Sequence, residues 1–368
     1  MAPILKSHFR VHDPNVFDAK ALRPIQLPPR SCSAKTPRIS LSPSTHSAIH
    51  ESLPVPFLIG TDEAGYGPHL GPLTITGTLW ETSSLDLDLY QTLAPAVCDF
   101  ASRDKLFVAD SKRVYSGSIQ QLETSVLALV YAVTNSIPTK WQELAAAICP
   151  ADSISQFADQ PWLDQRPLRL PIKSNIDRIK ALGDAFVQVC ESANVSLVEI
   201  KCSTIFPPKF NAAVDELGNK ATLLSTETLV IVRRMMDDTT NDLKIGCDKH
   251  GGRSKYGELI SSVLTDQPVE TELESRASSD YSFRQKRRDV SIRFQAKGES
   301  FLPTALASMV SKYVREVMMA VWNEFWIEQI PGLKPTKGYP VDAKRFKAEI
   351  AKVQAKLGIT DEAVWRKK

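Results

Sequence analysis

The sequence lacks the paired cysteines and the long apolar runs that mark several classes of protein. Its 368 residues include six cysteines, none of them spaced as a CxxC pair, which argues against a zinc site and a disulfide framework. No apolar run is long enough to span a bilayer, and the polar N-terminus has no apolar signal-peptide core. We therefore expect a cytoplasmic protein that does not act on a membrane.

A large excess of charge of either sign is also missing. The net charge is +3, from 45 Lys and Arg against 42 Asp and Glu, which is too small to identify a nucleic-acid-binding protein. Basic residues are concentrated from Lys334 to Lys368, where ten Lys and Arg stand against four Asp and Glu. This local excess fits a surface that follows a phosphate backbone, and it fits a solvated basic helix equally well.

Hydrophobic periodicity is scarce at the start of the chain. Residues 1–52 are rich in Pro, Ser and Thr, as in LPPRSCSAKTPRISLSPSTHS. Such a segment buries too little apolar surface to offset the entropy lost on ordering. We predict a disordered N-terminal tail over 1–52.

The stretch from Phe57 to Trp80, FLIGTDEAGYGPHLGPLTITGTLW, predicts a strand, a tight loop and a second strand. Asp62 and Glu63 stand side by side at the end of the first strand, where ionising both is costly unless positive charge compensates them. The glycines of the loop allow close backbone approach, which suits a polymer or a metal ion. A plain solvated turn is the alternative.

Through the rest of the chain, segments whose hydrophobic residues have the periodicity of a strand alternate with segments that have the periodicity of a helix. The sequence predicts a helix with its apolar face from Ile119 to Val130, a helix near Asn175 to Ser192, a strand over Val195 to Phe206, a long helix over Glu216 to Met236, a short strand that leads to Asp248, and a helix after Pro303.

The eleven residues DEAGYGPHLGP, from Asp62, closely resemble the first motif of the type 2 ribonuclease H family, in which Asp-Glu precedes Gly-x-Gly-Pro and a further Gly-Pro. Four later segments resemble further motifs of that family in the same order: Asp110-Ser111-Lys112, the strand ending at Asp248, Gly298-Glu299 with the helix ALASMVSKYVRE, and Lys337-Gly338-Tyr339. The resemblance covers about 57 to 368. Tyr66, Glu299 and Pro340 replace the family's usual Arg, Asp and Gly.

The resemblance implies an α/β, ribonuclease H-like fold, a mixed sheet flanked by helices with a C-terminal helical extension. It implies a catalytic domain over 53–330 and a basic helical extension over 331–368. The proline-rich segment near 136–175 and the alternating segment near 258–294 are insertions relative to the family pattern. We expect irregular or short-helical structure in the first and additional antiparallel strands in the second.

By the same resemblance, four carboxylates form the catalytic and metal-binding set: Asp62, Glu63, Asp248 and Glu299. Oxygen ligands of this kind favour Mg²⁺ or Mn²⁺, and two such ions suit phosphodiester hydrolysis. Taken singly, Asp248 is also explained as the end of a strand, and Glu299 as an acid favoured at a helix N-terminus. The family further implies substrate contacts from five residues: Gly65, Tyr66, Gly67, Lys112 and Tyr339.

The implied activity is metal-dependent endonucleolytic cleavage of the RNA strand of an RNA/DNA hybrid, which leaves a 3′-hydroxyl. The expected partners are RNA/DNA hybrids or ribonucleotide-containing DNA, and we expect a monomer. Two alternatives stay open: a non-catalytic nucleic-acid-binding module on the same fold, and a related nuclease with an altered substrate such as a DNA junction.

Overall fold

The structure, a computed structural model, describes residues 55–163 and 167–367 of the chain. Its strands are β1 (Phe57–Ala64), β2 (Leu73–Glu81), β3 (Val97–Cys98), β4 (Leu106–Phe107), β5 (Ser196–Ile205), β6 (Leu243–Asp248), β7 (Glu270–Glu274), β8 (Ser278–Gln285) and β9 (Arg288–Gln295). Its helices are α1 (Leu89–Thr92), α2 (Ser111–Tyr115), α3 (Ile119–Thr134), α4 (Trp141–Ile148), α5 (Ala151–Ile154), α6 (Ile176–Ala193), α7 (Pro207–Leu217), α8 (Lys220–Asp237), α9 (Gly257–Val263), α10 (Leu302–Gln329), α11 (Pro340–Lys356) and α12 (Asp361–Val364). The predicted tail over 1–52 lies outside the described residues.

One mixed sheet organises the described chain. Seven of its strands pair in the order β5-β2-β1-β6-β9-β8-β7. The central strands β1, β6 and β9 run parallel, and the pairs on both sides of them are antiparallel. Parallel neighbours end at the same edge of a sheet, which is where ligand sites of α/β sheets form.

Helices cover both faces of the sheet, as the alternation of side chains along a strand requires. Leu58 of β1 faces a core built with α3, α6 and α10, whereas the next residue, Ile59, faces a second core built with α7, α8 and α9. Both side chains are fully buried. The short apolar run at the start of β1 therefore serves two cores, one on each face.

The long helix α10 lies directly on β1 and β2. A Cβ placed on Gly60 would lie 2.1 Å from the carbonyl carbon of Pro303, so only glycine allows this approach. The hydroxyl of Thr78 donates to the carbonyl of Pro303 at 2.9 Å, and that of Thr304 donates to the carbonyl of Gly246 at 2.9 Å. These contacts fix the start of α10 against the strands that carry the acids.

Most predicted elements are confirmed, with one displaced boundary. The long helix predicted from Glu216 begins at Lys220, because Gly218 adopts a left-handed φ of +79° and ends α7. The side chain of Asn219 then caps α8 by accepting from the backbone N–H of Thr222 at 2.8 Å.

The two segments predicted as insertions differ in their relation to the sheet. Residues 136–175, apart from 164–166, contain the short helices α4 and α5 and a 3₁₀ turn at Ser155–Phe157, as the irregular or short-helical prediction stated. Residues 258–294 supply the predicted antiparallel pairs β7–β8 and β8–β9. However, β9 also pairs in parallel with β6 and is an integral strand of the sheet.

The described residues past Ser52 belong to one compact unit. The division at residue 330 between a catalytic domain and a C-terminal extension stays a prediction. Among residues 55–163 and 167–367, none of the helices has the length and apolarity that crossing a bilayer would require.

We expect Gly60→Ala to lower the free energy of unfolding by about 3 kcal/mol, because the added methyl group overlaps backbone atoms of α10 that cannot rotate away. Urea unfolding followed by circular dichroism measures this change. Gly252→Ala is the matched control, since no heavy atom lies within 4 Å of the position its Cβ would take. Equal stability of the two variants would contradict the packing argument.

Candidate functional site

Three neighbouring parallel strands deliver the predicted acids to one edge of the sheet. Asp62 and Glu63 lie near the end of β1, and Asp248 is the last residue of β6, one position beyond the paired residues Thr61 and Cys247. Glu299 follows β9 on the 3₁₀ turn Gly298–Ser300. The positions of the four acids therefore follow from strand order.

The structure brings the first three acids together. One carboxylate oxygen from each of Asp62, Glu63 and Asp248 lies within 4.8 Å of those of the other two. The backbone N–H of Glu63 donates to Oδ1 of Asp62 at 2.7 Å, and that of Gly298 donates to Oδ1 of Asp248 at 3.0 Å. We refer to these three carboxylates as the acid cluster.

The acid cluster resists ionisation. Burial, followed by the charges of Glu63 and Asp248, raises the pKa of Asp62 well above its usual value. Burial, followed by the charge of Asp248, raises the pKa of Glu63 to about 7. Burial raises the pKa of Asp248 as well, and the charge of Glu299 adds to that rise. When the acid cluster is ionised, it therefore carries negative charge that the nearby cations of the chain do not balance.

The residues of the acid cluster fit a divalent cation. Oε2 of Glu63 is buried and has no hydrogen-bond partner in the described part of the chain. An orphaned carboxylate oxygen beside two further carboxylates offers the oxygen donors that hard cations such as Mg²⁺ and Mn²⁺ prefer. A bound cation would also remove the electrostatic cost that raises the three pKa values.

Glu299 lies beside the acid cluster and is not a member of it. Among the described residues, the group of acids close enough to share an ion comprises Asp62, Glu63 and Asp248. Glu299 lines a neighbouring cavity of about 680 Å³ with Arg113 and Lys297. Its charge acts on Asp248, so the two acids are electrostatic neighbours. Its role as a metal ligand stays a prediction.

Lys112 is the predicted substrate residue whose charge reaches the acids. Asp110 caps α2 by accepting from the backbone N–H groups of Lys112 and Arg113 at 2.8 and 3.2 Å. Burial raises the pKa of both Glu63 and Asp248, and the exposed Lys112 ammonium opposes part of that rise. The Asp-Ser-Lys segment thus starts a short helix that presents a cation to the acid cluster.

The residues of the glycine-rich loop after β1 have different surroundings. Gly65 has a φ of +92°, and a Cβ there would lie 2.5 Å from Nε of Arg315, so this glycine serves packing. Gly67 is exposed and has open space at its Cβ position. The Tyr66 ring packs against the core that contains α8, with Nζ of Lys220 lying 4.8 Å from its centroid.

Tyr339 is separated from the acids by 40 residues or more in the chain, yet it lies beside the same loop. The carbonyl of Gly338 accepts from the backbone N–H groups of His69 and Leu70 at 2.8 and 3.3 Å. The Tyr339 side chain is 51% exposed at the N-terminus of α11. The structure thus brings the Lys-Gly-Tyr segment to the loop of the first motif.

Sequence analysis missed the two buried arginines that hold this loop. Nη2 of Arg315 donates to the carbonyls of Leu70 and Lys337, both at 3.1 Å. Nη2 of Arg366 donates to the carbonyl of Gly65 at 2.6 Å and to that of Pro68. Arg366 had been counted only as part of a basic ending, and no local pattern distinguishes it from Lys367 or Lys368.

Two serines of α10 were also missed. The Ser311 hydroxyl donates to the carbonyl of Asp62 at 3.0 Å, and the Ser308 hydroxyl donates to Oγ of Ser111 at 3.2 Å. Burial raises the pKa of Asp62, and the nearby Ser308 opposes part of that rise. The spacing of three residues on a helix places both serines on one face. The small residues of ALASMVSKYVRE were the signal that could have identified them.

No family model matches the sequence. Among curated proteins, the hydroxyethylthiazole kinase of Clostridium kluyveri is 25% identical over 213 residues, which cover 52% of this chain and 76% of the kinase. At that identity and coverage the match assigns no family.

Solved structures similar to this chain are ribonucleases H. Ribonuclease H2 from Pyrococcus horikoshii OT3 has a TM-score of 0.37 and 14% identity, covering 84% of this chain and 92% of its own. Ribonuclease HII from Archaeoglobus fulgidus, in a complex with PCNA, has a TM-score of 0.37 and 13% identity, covering 85% and 94%. Bst-RNase HIII in complex with Mn²⁺ has a TM-score of 0.37 and 12% identity, covering 86% and 68%.

These likenesses are too distant to carry an argument about chemistry. The fold class rests on the described sheet and helices themselves. The predicted α/β architecture is confirmed: a mixed sheet flanked by helices, with further helices at the C-terminus.

In the protein without divalent metal, we expect the contribution of the acid cluster to stability to fall as the pH rises from about 4 to about 7, because carboxyls with raised pKa values bind more protons in the folded state than in the unfolded state. Glu63→Gln removes one of these charges. It should leave stability nearly unchanged at about pH 4 and raise it by roughly 3 kcal/mol at about pH 8. Urea unfolding in EDTA at the two pH values measures both effects.

Glu258→Gln is the matched control, since Glu258 is an exposed acid in the first turn of α9. This control should not raise stability at the higher pH. The same response from both variants would contradict the assignment of the cost to the acid cluster.

We expect Mn²⁺ or Mg²⁺ to raise the unfolding temperature, because an ion that binds only the folded chain stabilises it, by about 2.7 kcal/mol at a hundredfold excess over its dissociation constant. Thermal unfolding with and without each metal measures the effect. Asp62→Asn and Asp248→Asn should abolish most of it, whereas Glu258→Gln should keep it. A wild-type protein that responds to neither ion would argue against the metal site.

Proposed function

We propose that this protein is a metal-dependent endonuclease that cleaves the RNA strand of RNA/DNA hybrids and leaves a 3′-hydroxyl. The observation that carries the proposal is the acid cluster, in which residues from distant parts of the chain bring carboxylate oxygens within 4.8 Å of one another. The order of five motifs that resemble the type 2 ribonuclease H family supports it. If these acids only marked the ends of strands, the chain would have no reason to bring partly buried carboxylates together, because their mutual repulsion is unfavourable.

In this proposal Asp62, Glu63 and Asp248 hold two divalent ions, Mg²⁺ or Mn²⁺, and Glu299 completes the ligand set. Such ions activate a water molecule and stabilise charge on the leaving oxygen of a phosphodiester. The backbone N–H groups of Glu63 and Gly298 orient the carboxylates of Asp62 and Asp248. Lys112 supplies positive charge next to the cluster, where the phosphate would lie.

Five further residues contact the substrate in the proposal. The backbone of the loop at Gly65, Tyr66 and Gly67 would approach the ribose, whose 2′-hydroxyl distinguishes RNA from DNA. The open space at Gly67 supports such an approach. The exposed ring of Tyr339 beside this loop is available to stack on a sugar, and Lys112 to contact a phosphate.

We further propose a cytoplasmic monomer that acts on RNA/DNA hybrids or ribonucleotide-containing DNA. In it, residues 53–330 form the catalytic domain and 331–368 the basic extension. The acid cluster gives no specific support to the kinase activity named for the partial sequence match, so we propose no second function.

We expect the purified protein to cut the RNA strand of a labelled hybrid with Mg²⁺ or Mn²⁺ and to leave an all-DNA duplex uncut. Asp62→Asn and Asp248→Asn should each lower the rate by more than about 100-fold, because losing a metal ligand exceeds the cost of losing an outer-shell partner. Gel analysis of the 3′ ends measures the products, and Glu258→Gln should cut at the wild-type rate.

Each rival function predicts a different outcome of the same assay. Hybrid binding without turnover under either metal would favour the non-catalytic module. Cleavage of an all-DNA junction in preference to the hybrid would favour the nuclease with an altered substrate. Cleavage that survives Asp62→Asn would contradict the assignment of the acid cluster.

A further inference from the structure

Two cations lie at the start of α8, one of them over the ring of Tyr66. Lys220 is the first residue of α8, and its Nζ lies 4.8 Å from the centroid of the Tyr66 ring. Arg253 lies in the turn after β6, and its Nη2 donates to the hydroxyl of Thr222 at 2.9 Å. The first turn of α8 thus gathers Lys220 and Arg253 beside the loop of the acid cluster.

Neither cation is neutralised by a described acid. In residues 55–163 and 167–367, no carboxylate oxygen lies within 4.0 Å of the Lys220 ammonium or the Arg253 guanidinium, whereas Lys201, Lys209 and Lys244 each have such a partner. Nε of Arg253 is buried and lacks a hydrogen-bond partner among these residues. Neighbouring like charges without a counter-charge favour an anion from outside the chain.

The backbone around these cations is open to a ligand. Gly67, Gly251 and Gly252 are exposed, and no heavy atom lies within 4 Å of the position that a Cβ would take on any of them. Glycine allows a ligand to come close to the backbone where a side chain would block it. The backbone at these glycines is therefore accessible to a ligand.

Lys112 and the two cations belong to elements on opposite faces of the sheet. The helix of Lys112, α2, packs on the α3–α10 face of the sheet, whereas α8 packs on the opposite face. The acid cluster lies between them at the end of β1 and β6. Tyr66 follows these acids in the chain, and Nζ of Lys220 lies over its ring, so the loop after β1 connects the acids to the start of α8.

We propose that Lys220, over the ring of Tyr66, and Arg253 each bind a backbone phosphate of the nucleic-acid strand that crosses the acid cluster from Lys112. The inference rests on the proposed function for the identity of the strand. A strand laid across the end of the sheet meets a cation on the α2 side, the acids in the middle and two cations on the α8 side. Contacts to phosphate set the position of a strand and do not read its sequence.

Binding of a short fluorescent RNA/DNA hybrid to the Asp62→Asn protein tests the proposal, because this background prevents turnover. We expect Lys220→Gln and Arg253→Gln each to weaken binding by about 3–10-fold, and each to reduce the slope of log affinity against log salt by about 0.8. The double variant should reduce the slope by about 1.6. Lys220→Arg should restore the wild-type slope, since it keeps the charge.

Lys180→Gln is the matched control, because it removes an ammonium that Asp184 already pairs at 2.6 Å on α6. This control should leave the salt slope unchanged. In the cleaving protein, the Lys220 and Arg253 variants should raise KM and leave kcat near the wild-type value. Thermal unfolding of each variant shows whether it is folded.

The outcomes separate this inference from the proposed function. Variants that are folded, bind the hybrid as the wild type does and keep its salt slope would overturn the inference, even if the hybrid is cleaved. A reduced slope in a protein that cleaves no hybrid would overturn the nuclease proposal and support the phosphate site. Binding of inorganic phosphate alone with the same dependence on Lys220 would reassign the site to a small anion and overturn the strand path.

Discussion

Repulsion among carboxylates at the ends of parallel strands is the constraint on which the rest of the site depends. Asp62, Glu63 and Asp248 share a partly buried space in which ionising all three is costly. The surrounding groups respond to this charge: the backbone N–H groups of Glu63 and Gly298 donate to the carboxylates of Asp62 and Asp248. The remaining negative charge is what makes the site suited to a divalent cation.

The loop beside the acids is held by residues far away in the chain. Arg366 binds the carbonyl of Gly65 across 301 residues, and Arg315 binds the carbonyl of Leu70 across 245. Burial lowers the pKa of Arg366 to about 9, with Arg315 adding to that effect. The loop therefore has a rigid inner side formed by buried arginines, while Gly67 on its outer side stays open.

Local sequence patterns predicted which helices and strands form better than they predicted which strands pair. The apolar run of β1, the glycine-flanked Asp248 and the helix after Pro303 were identified correctly because alternation, turn residues and helical spacing are local properties. The segment 258–294 was interpreted as an insertion, although β9 within it pairs with β6. Periodicity predicts that a segment forms a strand, but it does not specify the strand with which that segment pairs. Glu299 likewise followed from motif order, yet it lies beside the group of three acids.

The sequence by itself determined the fold class, the order of the motifs and the candidate acids, because each depends on residue type and short-range spacing. Only the tertiary structure decided that Asp62, Glu63 and Asp248 meet, that Arg366 anchors Gly65, and that Lys220 lies over Tyr66 while Arg253 joins it at the start of α8. These contacts depend on how strands pair and on which face each helix covers. Strand pairing and helix placement are set by packing of the whole chain, so no local period encodes them.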